Sequence, residues 1–237
     1  MTMPAVLITG SSRGIGLAFC RMYSELGWEV VATCRNPRSA NELQHLSGNV
    51  SILPLDVTSG KSIAALVDTM KGKPIDILVN NAAIHGPRDD SGTFGKIDLD
   101  AWLEVMKVNA MAPIKVTEAL LPNVLQSVQK KLVFISSMAG SISLRGSQPH
   151  HKTGGPYIYR TSKAALNAAV KAIGFDLRAE GVSVVALHPG WVKTETGGWD
   201  APGSPEESVE AMVKIIEAST PEGNGLFLNV DGSVIGW

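Results

Sequence analysis

Cysteine is scarce: only Cys20 and Cys34 occur among 237 residues, with no Cys-x-x-Cys pair and no accompanying cluster of histidines. Neither a disulfide framework nor a zinc site organises such a chain. An excess of charge is missing too, since 22 acidic residues nearly cancel 21 basic ones. That balance argues against nucleic acid or an anionic membrane as a partner and in favour of a small molecule. No apolar run reaches the length of a membrane span. Met-Thr-Met-Pro leads straight into an apolar strand, without the charged and apolar regions of a signal peptide, so a cytoplasmic location is expected. No repeat, low-complexity tract or Pro/Gly-rich linker divides the chain. One domain, residues 1–237, is therefore expected.

What is present is an alternation of short β-branched runs with longer stretches of helical period. Strands are expected over 5–9, 29–33, 50–55, 75–79, 131–136, 182–187 and 226–229. Several are apolar almost throughout, the mark of strands covered on both faces. The expected fold is α/β: a doubly wound, mostly parallel seven-stranded sheet of Rossmann type with helices on both faces. The polar stretch 139–155 is long for a connection in a compact domain and is a candidate lid.

Between the first strand and a helix with the stripe Ile15, Phe19, Met22 and Leu26 stands Thr9-Gly10-Ser11-Ser12-Arg13-Gly14-Ile15-Gly16. Glycines permit a tight turn and close approach of backbone to a pyrophosphate, and the helix N-terminus offers free N–H groups. Glycines alone also make ordinary strand-to-helix turns; the strand before and the helix after point to a dinucleotide site. An NAD site places a carboxylate on the ribose at the end of the second strand. Here that strand ends Thr33-Cys34-Arg35. A guanidinium at Arg35 can grip a 2′-phosphate, with Arg13 assisting, which favours NADP(H) over NAD(H). A solvated loop charge is the plainer alternative for Arg35. Asp56-Val57 can face the adenine, or Asp56 can cap the next helix.

Tyr159 and Lys163 lie four residues apart on a helix whose stripe continues through Leu166, Val170, Ile173 and Leu177. An ammonium one turn from a phenol favours the phenolate, which is expected to pull Tyr159 below its ordinary value of about 10 and let it exchange a proton with a substrate oxygen. A snorkelling lysine beside a core tyrosine is the alternative. Asn109 occupies an apolar position in the stripe Trp102, Val105, Ala112 and Val116, four residues before Pro113. Its carbonyl then lacks a helical donor and can hold a proton-relaying water; a kinked helix with Asn109 bonded to a neighbouring strand is the other possibility. Ser137, at the end of the fifth strand, can donate to a substrate oxygen as charge develops.

Taken in order, Thr9 to Gly16, Asp56-Val57, Asn80-Asn81-Ala82-Ala83, Asn109, Ser137, Tyr159 with Lys163 and Pro189-Gly190-Trp191-Val192-Lys193-Thr194 resemble the short-chain dehydrogenase/reductase family along nearly the whole chain. The resemblance implies hydride exchange between NADP(H) and a carbonyl or alcohol, with Tyr159 as general acid/base. Lys163 would lower the pKa of Tyr159 and bind the nicotinamide ribose, Ser137 would polarise the carbonyl, and Asn109 would hold the relay water. It places Gly10, Ser12, Arg13, Gly14, Ile15, Gly16, Asn81, Ala82, Pro189, Gly190, Val192 and Thr194 at the cofactor, and it implies a homodimer or homotetramer. Ala83 stands where the family usually has glycine, and Tyr159 comes 22 positions after Ser137 because of the segment Ser147 to Gly155. That insertion, with Asp231-Gly232-Ser233 to Trp237, resembles the C-factor-like carbonyl reductase branch. A catalytically silent, dinucleotide-binding signalling or regulatory protein is the alternative from another class; it predicts a broken tetrad. His150 and His151 are loop residues that can meet substrate or water, and His188 reads as structural. Trp191 and Trp199 can wall an apolar pocket or pack a subunit interface, to which Trp237 can add.

Overall fold

Apolar side chains on both faces of a strand leave it no stable place except between two layers of helix, and the seven apolar runs assemble accordingly. The computed structural model describes residues 3–145 and 155–237. Its strands are β1 (Ala5–Thr9), β2 (Glu29–Cys34), β3 (Val50–Pro54), β4 (Ile77–Asn80), β5 (Lys131–Ile135), β6 (Ser183–His188) and β7 (Leu226–Asn229). They form one sheet in the order β3-β2-β1-β4-β5-β6-β7, and every pairing is parallel.

The helices are α1 (Gly14–Glu25), α2 (Asn41–Gln44), α3 (Gly60–Met70), α4 (Leu99–Met106), α5 (Ala112–Leu125), α6 (Tyr157–Asp176) and α7 (Pro205–Ala218). Alternate strand residues feed two separate cores. Val6, Ile8, Ile77 and Val79 pack with Phe19 and Tyr23 of α1 and Met212 and Ile216 of α7. Leu7, Leu78, Leu132 and Phe134 pack with Leu66 of α3, Leu120 of α5 and Leu166 and Val170 of α6. Lys131, buried in β5, spends its ammonium on the carbonyls of Ile216 at 2.6 Å and Glu217 at 2.8 Å, closing the C-terminus of α7.

Differences from the sequence expectation have local causes. α1 is wedged between the sheet and α7, so its buried face centres on Phe19, Cys20 and Tyr23, and Leu26 at its end is half exposed. Trp237 stacks on Phe227 of its own chain at 5.6 Å. Of the candidate lid, a short turn at Met138–Gly140 and residues up to 145 are described, with Gly155 at its far end. Ser147, His150 and His151 lie outside the described residues. Among the described residues both cysteines are free, no metal-ligating cluster occurs, and no helix is long and apolar enough to cross a membrane.

Candidate active site

The sheet order reverses between β1 and β4, and an open parallel sheet forms its ligand crevice outside the carboxyl ends at such a point. A cleft of about 1760 Å³ lies there, well beyond the 300–1,000 Å³ or so of an ordinary small-molecule pocket. Gly10, Ser12, Arg13, Gly14, Ile15, Gly16, Arg35, Asp56, Val57, Asn81, Ala82, Ser137, Tyr159, Lys163, Pro189, Gly190, Val192 and Thr194 all line it. Asn109 does not; it is fully buried behind the wall.

The glycine turn is built for close approach. Gly10 and Gly14 take φ of +69° and +56°, a region costly for other residues. A Cβ on Gly10 would stand 2.8 Å from the Ala82 Cα, and one on Gly16 would collide with the Gly10 carbonyl and, at 2.6 Å, with the Asn81 amide nitrogen. Arg13 enters α1 extended, and no side chain caps the helix, so its N-terminal donors are left to a ligand. The cradle therefore fits a dinucleotide pyrophosphate. Asn81 proves to be the brace of this turn: its amide donates to the carbonyls of Thr9 at 2.9 Å and Gly10 at 3.0 Å, and Thr9 Oγ1 accepts from the Asn81 and Ala82 N–H groups. Gly16→Ala should accordingly cost about 1–3 kcal/mol by overpacking, lower Tm by several degrees and weaken NADPH binding. Calorimetry and NADPH titration check this; wild-type affinity and Tm in the variant would mean that the turn is slack.

Arg35 is exposed at the rim and joins none of the ion pairs of the described residues. Arg13 is already engaged, 2.7 Å from Glu195, with both side chains about two-thirds exposed. Asp56 accepts from the Thr58 N–H and hydroxyl at 2.9 and 2.7 Å, bonds that hold its carboxyl below the usual range, with Arg35 and Lys107 adding a smaller effect. Capping of α3 falls to Ser59.

At the other end of the cleft, Ser137 follows β5 and its hydroxyl lies where it favours the Tyr159 phenolate. Lys163 is buried one turn along α6; its ammonium donates to the Ile135 carbonyl at 2.8 Å and lies 5.9 Å from the centre of the Tyr159 ring. Burial pushes Tyr159 up to about 12, with the Ser137 hydroxyl opposing, and pushes Lys163 down to about 8. The lowered tyrosine expected from the sequence is thus not found. Desolvation is the larger cause, and the Ser137 hydroxyl only partly offsets it. The phenol is protonated at neutral pH.

Asn109 sits in a π-helical turn, Lys107–Met111, between α4 and α5. Its side chain accepts from the Ile84 N–H at 2.9 Å and donates to the Ile84 carbonyl at 2.8 Å and to Ser162 Oγ at 3.0 Å. Its amide thus bonds the loop after β4 and α6, not a strand as the kinked-helix alternative has it. Trp191 and Trp199 are exposed at the cleft mouth, Trp191 donating to the Gly197 carbonyl at 2.7 Å.

Two histidines border the site. His85, which sequence reasoning passed over, stacks on Tyr159; nothing in a loop histidine after Asn-Asn-Ala-Ala announces such a contact. His188, at the end of β6, is pushed down to about 4 by burial. Below pH about 6.5 the unfolded chain takes up a proton that the folded chain refuses until about pH 4, so stability falls as pH drops through that window. Between pH 7 and 4.5 the loss from this residue should be on the order of 2–3 kcal/mol. Denaturant melts of wild type and His188→Asn across that range test it: equal losses in both would remove His188 as the cause.

Residues 4–201 match the family described as short chain dehydrogenase, and the chain belongs to that family. It is similar to an NADPH-bound carbonyl reductase from chicken fatty liver, at 36% identity and a TM-score of 0.88 over 100% of both chains. The carbonyl reductase Sniffer of D. melanogaster is similar at 32% identity and a TM-score of 0.87, again over 100% of both chains. C-signal of Myxococcus xanthus is 37% identical over 164 residues, which are 69% of this chain and 93% of that relative.

Proposed function

We propose that this short-chain dehydrogenase is a carbonyl reductase that takes NADP(H) in preference to NAD(H), with Tyr159 as its general acid/base. The observation that carries this reading is the meeting of the Ser137 hydroxyl, a protonated Tyr159 phenol and the buried Lys163 in one corner of the cleft that also holds the glycine cradle. When bound, the dinucleotide supplies the hydride for reduction or accepts it in the reverse direction. Ser137 donates to the carbonyl oxygen and polarises it, and the Tyr159 phenol releases its proton to that oxygen as negative charge develops. The Lys163 ammonium, held on the Ile135 carbonyl, stabilises the phenolate so formed. Asn109 braces the helix under Tyr159 through Ser162, whose hydroxyl bonds the Tyr159 carbonyl at 2.7 Å. Arg35 at the rim is the cation available to a 2′-phosphate.

A panel of ketones and aldehydes assayed by NADPH oxidation tests the proposal. Turnover of at least one supports it; tight NADPH binding without turnover of any would favour a silent dinucleotide-binding signalling protein, the reading that likeness to C-signal keeps in play. Intact Asn109, Ser137, Tyr159 and Lys163 argue for the enzyme. A cytoplasmic homodimer or homotetramer completes the proposal, and exposed Leu99, Leu103 and Met111 offer apolar surface for self-association.

A further inference from the structure

Ile84-His85-Gly86 follows the brace of the glycine turn, and the scheme above gives none of these three residues a part. Their placement is nevertheless closely specified. Asn109 grips Ile84 at both its N–H and its carbonyl, at 2.9 and 2.8 Å. The same amide reaches Ser162, and Ser162 reaches the Tyr159 carbonyl, so one side chain ties the loop after β4 to the first turn of α6. On the far side of His85, Gly86 takes φ of +82°, and a Cβ there would stand 2.8 Å from Val105 Cγ2 of α4. Between these anchors the imidazole lies on the Tyr159 ring, with centroids 4.9 Å apart and planes within 16°. His85 Nδ1 is buried without a hydrogen-bond partner, so polar bonding at that nitrogen does not account for the placement. What the ring meets is the phenol.

We propose that His85 is a positioning residue for proton transfer: its flat ring, clamped through Asn109 and Ile84, holds the Tyr159 phenol toward Ser137 and keeps water from that face. The inference rests on Tyr159 as the proton donor. A neutral ring suits this task, since it covers the phenol without setting a second cation beside Lys163. Burial first, and then the charge of Arg88, hold His85 below its ordinary pKa. Two charged groups act on the pair: Lys163 of α6 lies over the phenol ring, and Arg88 of the loop itself acts on the imidazole. Displacement of a reacting group by an ångström costs as much as about 100-fold in rate, so a wall that fixes the phenol has a measurable effect.

The test compares wild type, His85→Ala, His85→Phe and Tyr159→Phe, with melting temperature and NADPH affinity establishing that each is folded. His85→Ala should lower kcat by about 10-fold with little change in NADPH affinity. Its Tyr159 phenol, isolated by subtracting the ultraviolet titration of the same protein carrying Tyr159→Phe, should ionise at lower pH because its covered face meets water. His85→Phe keeps a flat ring and should restore both kcat and the titration. Wild-type kcat and titration in His85→Ala overturn the proposal. So does a His85→Phe variant as slow as His85→Ala, since that would require a nitrogen of the imidazole. Absence of turnover in wild type would instead strike at carbonyl reduction itself, and the phenol titration would then decide the stacking alone.

Discussion

Replacing Tyr159 with phenylalanine should lower kcat by about 100-fold or more, the scale of positioned acid–base catalysis, while NADPH affinity stays at its wild-type value. The two effects separate because the substitution removes one oxygen and little else. The ring keeps its stacking on His85 at 4.9 Å, the Lys163 ammonium keeps the Ile135 carbonyl, and the glycine cradle at the other end of the cleft is untouched. What disappears is a proton held on a phenol that burial pushes up to about 12. Steady-state turnover with a carbonyl substrate, paired with NADPH binding, checks both halves. Turnover within about threefold of wild type would place the proton donor elsewhere, since a positioned acid is worth far more than that.

The parts of the molecule legible in the sequence are those in which one physical rule acts alone. The five inner strands appear as apolar runs because a strand sandwiched between helix layers has no polar face to blur the pattern; the edge strands β3 and β7 are less buried, and strand ends shift by a residue or two. The glycine turn is legible because the positive φ of Gly10 and the crowding at Gly16 leave few other residues acceptable. Tyr159 and Lys163 stand out because a lysine on a buried stripe demands a reason.

Where two rules compete, the sequence is silent about the winner. Burial raises the pKa of Tyr159 and the Ser137 hydroxyl lowers it, and which prevails depends on how deeply the fold buries the phenol. Asn81 lines the cleft and braces the glycine turn at once, and the bonds to Thr9 and Gly10 exist only after β1 and β4 are brought side by side. His85 is illegible for the same reason. Its partner is 74 residues away, and the link runs through an asparagine on a third element.

If the cofactor carries a 2′-phosphate, as proposed, two arginines of the cleft compete for it. Arg13 is committed to Glu195 at 2.7 Å, whereas Arg35 is exposed beyond the end of β2 and takes part in no ion pair of the described residues. A phosphate arriving at Arg13 must displace a carboxylate, and one arriving at Arg35 displaces only water. Arg35 is therefore the better candidate for the 2′-phosphate, and removing it must act on NADPH and spare NADH. A charge-assisted hydrogen bond contributes roughly 1.5–3 kcal/mol, so Arg35→Ala should weaken NADPH binding by about 10- to 150-fold with NADH barely affected. Adding Cys34→Asp should carry the preference over to NADH. Its carboxylate repels the phosphate and accepts from the ribose hydroxyl, as acidic residues do at this place in NAD sites. The measurement is the ratio of kcat/KM with the two coenzymes. If wild type already favours NADH, or if Arg35→Ala weakens both coenzymes alike, the assignment of Arg35 fails; the phosphate, if bound at all, would then have to displace Glu195 from Arg13.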